Sequence, residues 1–315
     1  MTEHAIMPPI THREAIAAIP AGAMAGLREM ADAPGLGHLA GQLALLVLSS
    51  WLLLSLHSWW LLLPLSIVQG ILIVFLFPLE HECIHGTAFR SEWFNLALAE
   101  AAGFLLVLPP RYFRFFHLAH HRHTQDPGHD PELATPRPAT WPQYLLALTG
   151  WGYWTASLLG LIRYATSRKL DGFVPERAVP RVILEARAYL AAYAILAAAG
   201  LWFGWTWLIW LWILPILLGQ PFLRAYLMAE HTGLPLVPDM LLNSRTVFAA
   251  PLINWLAWNM PNHTAHHAVP AVPFHQLPAL TELLRPHLRS TSPGYIALHR
   301  DLHGSLGNHA ESKRS

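Results

Sequence analysis

The sequence predicts an all-α integral membrane protein: four transmembrane helices in two hairpins, interfacial helices beside them, and a cytosolic, histidine-rich cap. Three observations predict it. Of 315 residues, 54% are hydrophobic and 12% charged, about half the roughly 25% charged share of soluble domains. Four apolar runs reach or approach the ~20 residues that cross a bilayer. Histidines number 20, as many as Lys and Arg together, and several recur in short patterns just beyond those runs.

The same composition excludes other classes. A net charge of +1 leaves no nucleic-acid footprint. One cysteine, Cys83, rules out intrachain disulfides and Cys-rich zinc or iron–sulfur centres. No dinucleotide-binding glycine motif or haem-binding pattern is found.

Residues 1–37 read as a cytosolic N-terminal arm. Glu3, Arg13, Glu14, Arg28, Glu29 and Asp32 interrupt any apolar run, so no cleavable signal is expected, and a short amphipathic helix is predicted near 11–19. The membrane domain is 38–285. Its first spans, about 38–56 and 59–79, are separated only by His57 and Ser58. That predicts an antiparallel pair turning on the far side, with Trp51, Trp59 and Trp60 at the interface. The run 93–108 is short and carries Asn95 and Glu100, so it reads as an interfacial helix. A polar loop follows at 122–132. The run 141–162 is long enough to cross, but a crossing there would put the histidine patterns on opposite sides. It too reads as interfacial. A basic linker, 163–187, precedes the second pair of spans, about 188–203 and 205–229, which turns at Gly204. A short apolar helix is predicted over 247–260. Residues 286–315 read as a polar C-terminal tail, with His275 just before it and His287, His299, His303 and His309 within it in solvent.

Charge placement sets the orientation. Two Lys or Arg precede the first span, eleven lie between Arg90 and Arg187, and seven follow from Arg224. None falls in the far-side turns. By the positive-inside rule, both termini and every histidine pattern face the cytosol, across the inner membrane in a bacterium.

The chemistry lies in the histidines. In His117-Leu118-Ala119-His120-His121, a helix would place three imidazoles on one face, one turn apart. The same spacing returns at His263, His266 and His267, and a shorter form at His81 and His85. Neutral imidazole is the commonest side-chain metal ligand. His231, at the end of the fourth span, is a ninth candidate. One ion needs three or four imidazoles, so nine suffice for two ions with positions left open. Imidazole suits iron, zinc, copper and nickel alike, so spacing does not choose the metal. His38 and His57 read as interface anchors, and His123 and His129 break the helical spacing.

Acids beside ligands can fix the histidine tautomer by accepting the second ring N–H. Glu80, Glu82, Glu230, Asp126 and Asp130 are placed to do so, and Asn259 is a further candidate. The plainer alternative is a solvated acid at a helix end. Cys83 points away from its flanking histidines and is expected to be packed without a role. Arg111, Arg114 and Arg122 could hold a carboxylate, a phosphate or a donor protein, or simply anchor the cytosolic face.

These motifs resemble those of the membrane fatty-acid desaturase and hydroxylase superfamily of histidine-box di-iron enzymes. The matching residues are His81-Glu82-Cys83-Ile84-His85-Gly86; His117 to His121 with Thr124, Asp126, Pro127, Asp130 and Pro131; and Trp258 to His267, followed by Val272-Pro273-Phe274-His275. Glu230-His231-Thr232-Gly233 resembles a ligand segment of the related alkane monooxygenases. The resemblance spans roughly 40–285. It implies four spanning helices under a cytosolic cap that holds two iron ions through the nine histidines. It further implies O2 as co-substrate, an external electron donor (ferredoxin- or cytochrome b5-type, with a reductase) and a membrane lipid or other lipophilic substrate. Asn262 and Ala265 depart from the Tyr and Glu that relatives often carry, at positions that are not ligands.

Desaturation of an acyl chain is the reading this favours. Within the same superfamily the alternative is a hydroxylase or ketolase of an alkyl or carotenoid substrate. From other classes come a zinc-dependent intramembrane hydrolase, which would leave about half the histidines without a role, and a metal transporter or sensor, which would place ligands inside the spans.

Overall fold

The computed structural model describes residues 10–311 other than His57 and Arg168, and the side chains of that range other than 305 and 307–311. The anchoring role expected of His57 and the solvent position expected of the His309 side chain lie outside the described residues.

The chain is helical almost throughout. The N-terminal arm forms α1 (His12–Ala17), opened by a Thr11–Glu14 capping box, and α2 (Ala21–Leu27). The first hairpin is α3 (Asp32–Ser55) and α4 (Trp59–Val74). A two-residue break leads into α5 (Phe77–His85), which closes on Gly86 in the left-handed conformation. Next come α6 (Glu92–Leu106) and α7 (Pro110–His123), bent by 97° at Pro109 and Pro110. The segment expected as one interfacial helix is two, α8 (Trp141–Leu148) and α9 (Trp151–Thr166), bent by 55° at left-handed Gly150. The second hairpin is α10 (Val179–Phe203), a left-handed turn at Gly204, and a π-helical stretch Ile209–Ile213 running into α11 (Leu214–His231).

Among the described residues four helical runs are long and apolar enough to cross a membrane: Ala21–Ser55, Trp59–His85, Glu176–Phe203 and Ile209–His231. Leu201, Trp202 and Phe203 at one hairpin tip and Trp59 and Trp60 at the other are exposed, as lipid-facing side chains are. The protein is a multi-pass, all-α membrane protein. Its first box does not merely follow the second span but continues its helical run to His85.

The first hairpin packs on itself, α3 along α4, and the spans also pack across the sequence. α4 lies along α11, and α10 lies along α9. The α4–α11 contact is close because Gly70 and Gly219 face each other: a Cβ on Gly70 would strike the Pro215 carbonyl, and one on Gly219 the Gly70 backbone. Polar side chains tie the spans. Gln42 donates to the carbonyls of Leu72 and Phe75, and Gln69 joins Ser49, Ser50 and the Leu211 carbonyl.

The C-terminal third departs from expectation. The predicted helix over 247–260 is instead β1 (Thr246–Val247), a short helix after Met240–Asn243 (α12), namely α13 (Pro251–Leu256), and a tight turn with Trp258 and Asn259 at φ 49° and 57°. Pro251 starts that helix and the turn ends it before Pro261. α14 (His263–Ala268) carries the third box. The supposed tail is folded. Just ahead of it, within 38–285, α15 (Leu277–Leu284) buries Leu277, Leu280 and Leu284 completely. β2 (Thr291–Ser292) pairs in parallel with β1. α16 (Tyr295–Glu311) docks on α8 and α11, where the His299 ring meets the Tyr144 hydroxyl at 2.9 Å and the Ala225 carbonyl at 3.0 Å. His299 is therefore a packing residue.

Closing the Gly70–Gly219 contact should be costly. Gly70→Ala is expected to lower stability by about 1–3 kcal/mol through overpacking. Gly37→Ala, with open space around it, should match or exceed the parent. Thermal unfolding in detergent checks both.

Candidate metal centre

Four helix segments bring the nine histidines together. α5 supplies His81 and His85, α7 supplies His117, His120 and His121, α11 ends on His231, and α14 supplies His263, His266 and His267. The rings form two adjoining groups. His81, His85, His117, His121 and His266 offer nitrogens all within 4.8 Å of one another, as do His120, His231 and His267. His263 joins the second group, its Nε2 3.0 Å from that of His231. The groups meet where His121 stacks on His267, centroids 4.1 Å apart.

The nitrogens point at each other. His121 Nε2 lies 2.9 Å from His117 Nε2 and 3.1 Å from His266 Nε2, and His120 Nε2 lies 3.2 Å from His231 Nε2. Metal–imidazole bonds of about 2.0–2.1 Å place adjacent ligand nitrogens about 3 Å apart. The Nε2 atoms of His85 and His267 are buried without any partner. This donor set fits two cations of the first transition row.

The outer nitrogens fix the tautomers. His231 Nδ1–H donates to the Asn243 carbonyl at 2.8 Å. A carbonyl only accepts, so Nε2 carries the lone pair. The Thr124 hydroxyl donates to the His120 carbonyl and so accepts from His267 Nδ1–H at 3.1 Å. Asp130 Oδ1 accepts from His120 Nδ1–H at 2.9 Å. Asp130 is itself braced by the backbone N–H groups of Gln125 and Glu132. Burial pushes the Asp130 carboxyl up, yet these bonds, that to His120 first, hold it below its ordinary value. Burial, and then the neighbouring imidazoles, push His263, His266 and His267 well below the usual histidine range, so they are neutral.

The other expected helpers divide. Glu82 is buried 3.8 Å from His81 Nδ1 and is held by the Thr87 hydroxyl and the Phe274 N–H. Glu230 lies 3.6 Å from His263 Nδ1. Both are near, neither in hydrogen-bond contact with the ring. Asp126 does not serve: left-handed Gln125 turns the chain there, and Asp126 meets the exposed His129 at 3.0 Å. Asn259 also does not serve; its amide donates to the Phe274 carbonyl and shapes the turn before α14. Cys83 is buried and free, as expected. His38 packs among Trp255, Trp258 and Phe274. Arg111 is engaged by Glu185 and Glu100, while Arg114 and Arg122 are exposed.

Sequence reasoning missed Asn243 and Arg137 and gave Thr124 no role. Arg137 and Gln125 both donate to the His231 carbonyl, at 2.6 and 3.0 Å, and Arg137 also donates to Gln125 Oε1 at 3.0 Å. The one available signal was Thr124, one turn after His120.

A helical multi-pass membrane protein with a buried, histidine-lined centre at its helix ends is the class this fold and site define. The fatty acid desaturase family matches residues 58–299, and the chain belongs to that family. It is 25% identical over 210 residues to an sn-1 oleoyl-lipid 12-desaturase of Picosynechococcus sp., covering 63% of this chain and 56% of the relative. The chain thus spans about half the length of the curated relative it matches.

Two outcomes follow. Asp130→Asn should weaken metal retention against a chelator about 10–100-fold, whereas Asp126→Asn should leave it unchanged. In the metal-free protein, the depressed folded-state values of His263, His266 and His267 mean that the unfolded chain binds protons first. Stability should therefore be flat at neutral pH and fall as pH drops below about 6.5, read as melting temperature against pH.

Proposed function

We propose that this protein is a di-iron oxidoreductase that uses O2 and external electrons to introduce a double bond into the acyl chain of a membrane lipid. His81, His85, His117, His121 and His266 would hold one iron; His120, His231, His263 and His267 would hold the other. The observation that carries the reading is the division of nine imidazoles into two adjoining groups whose ring nitrogens converge. A zinc hydrolase would leave about half of them idle. The family match, and a relative whose name assigns it an oleoyl lipid, support an acyl substrate.

Iron, when bound, supplies the oxidation of an unactivated C–H bond. The chain's residues prepare the site for it. Asn243, Thr124 and Asp130 take up the outer N–H groups of His231, His267 and His120 and turn their lone pairs inward. Arg137 and Gln125 grip the His231 carbonyl and hold the end of α11 against the second box. Burial of the ligand rings keeps bulk water from the reacting carbon.

The Lys and Arg distribution supports a cytosolic position for the boxes and both termini. A ferredoxin- or cytochrome b5-type donor with its reductase would then meet the face where Arg114 and Arg122 are exposed.

The test is purified protein with O2, ferredoxin, its reductase and an oleoyl lipid. The expected product is lighter by two hydrogens and falls at least ~100-fold in His120→Ala, since losing a ligand exceeds losing its support. A product heavier by one oxygen would make the protein a hydroxylase. No oxygen-dependent product would overturn the reading.

A further inference from the structure

Three glutamines sit inside the spanning helices, and one differs from the others. Gln42 and Gln69 are fully engaged with carbonyls and hydroxyls of neighbouring helices. Gln220 is completely buried, yet neither its Nε2 nor its Oε1 has a partner. It stands at the centre of the 23-residue run Ile209–His231. An amide there without partners is costly, and such a residue calls for a functional explanation.

Gln220 is not isolated. Arg224 follows one turn later on the same face of α11, and its buried Nε is also unpartnered. Its guanidinium lies 4.6 Å over the Tyr153 ring, while Glu132 and Glu230 act on it only through space. The start of α9 meets this stretch. A Cβ on Gly150 would stand 3.0 Å from Gln220 Cβ, and Tyr153 meets Arg224. Trp154, one turn after Gly150, has a buried and unpartnered Nε1–H. Pro221 lacks an N–H and frees the Leu217 carbonyl at the same level. The contact of Gly70 with Gly219 fixes the backbone next to Gln220.

We propose that Gln220, Arg224 and Trp154 form a subsite that binds a small oxygen function of the lipophilic substrate within the membrane. This rests on the reading above that the substrate is a lipid. Arg224 and Trp154 offer donors, and Gln220 offers a donor and an acceptor. A protonated carboxyl or a hydroxyl satisfies both atoms of Gln220; an ester carbonyl satisfies one. The amide is fully enclosed, so the group that reaches it is small and is not a phosphodiester headgroup. Gln220 and Arg224 precede His231 by eleven and seven residues, which sets the oxygen about 10–16 Å along the helix from the histidine centre.

The test is equilibrium binding of radiolabelled oleic acid, oleyl alcohol, methyl oleate and octadec-9-ene to the full chain in detergent, with metal content measured on the same samples. The acid or the alcohol should bind at least ~10-fold more tightly than the hydrocarbon, with the ester between them. The tighter of the two identifies the group as carboxyl or hydroxyl. Gln220→Leu and Trp154→Phe should each reduce the preference to within ~3-fold while leaving hydrocarbon affinity within ~2-fold. Gln220→Leu should also keep or raise the melting temperature, which a structural glutamine would not. Equal affinity for all four probes, or a preference that survives both substitutions, overturns the subsite. A preference in protein that carries zinc in place of iron would overturn the di-iron reading and leave the subsite standing.

Discussion

The contact on which the structure turns is between imidazoles. Buried neutral rings whose lone pairs converge at about 3 Å repel one another unless a cation lies between them. The helices that deliver these rings differ in length, direction and distance in sequence, and only the centre unites them. The ends of α5, α7 and α11 and the whole of α14 meet at one place. In the proposed account, metal binding is thus part of the folding free energy of the cap.

Much of the remaining architecture serves to hold those rings still. The bend of 97° between α6 and α7 brings the second box back over the first. β1 and β2 tie the strand before α13 to the segment after α15, and Asn262, just before α14, bridges to Thr246. Arg245 reaches back to the carbonyls of Ala229 and Thr232, on either side of His231. Each contact removes a freedom that a metal ligand cannot retain without losing affinity. The close α4–α11 contact extends the same rigidity into the spans.

The spans and the histidines were legible because each leaves a short-range mark: apolar length in one case, a one-turn repeat in the other. Asn243 left none, since it acts through its backbone carbonyl, a group that every residue carries. Asp126 and Asp130 look alike in sequence, and only the left-handed turn at Gln125 decides which reaches a histidine of the boxes. Residues 247–260 are apolar enough to read as a helix, but Pro251 and the left-handed pair Trp258 and Asn259 divide them. Residues 286–315 read as a polar tail because their histidines and charges masked the pairing of β2 with β1 and the docking of α16 on α8 and α11.

Coordination of two irons by nitrogen is the central claim, and iron-edge X-ray absorption of the purified protein, with iron counted per chain, tests it most directly. The account predicts about two irons per chain in a nitrogen- and oxygen-rich shell dominated by imidazole. A single zinc per chain, or a shell with too few imidazoles to engage both histidine groups, would contradict it.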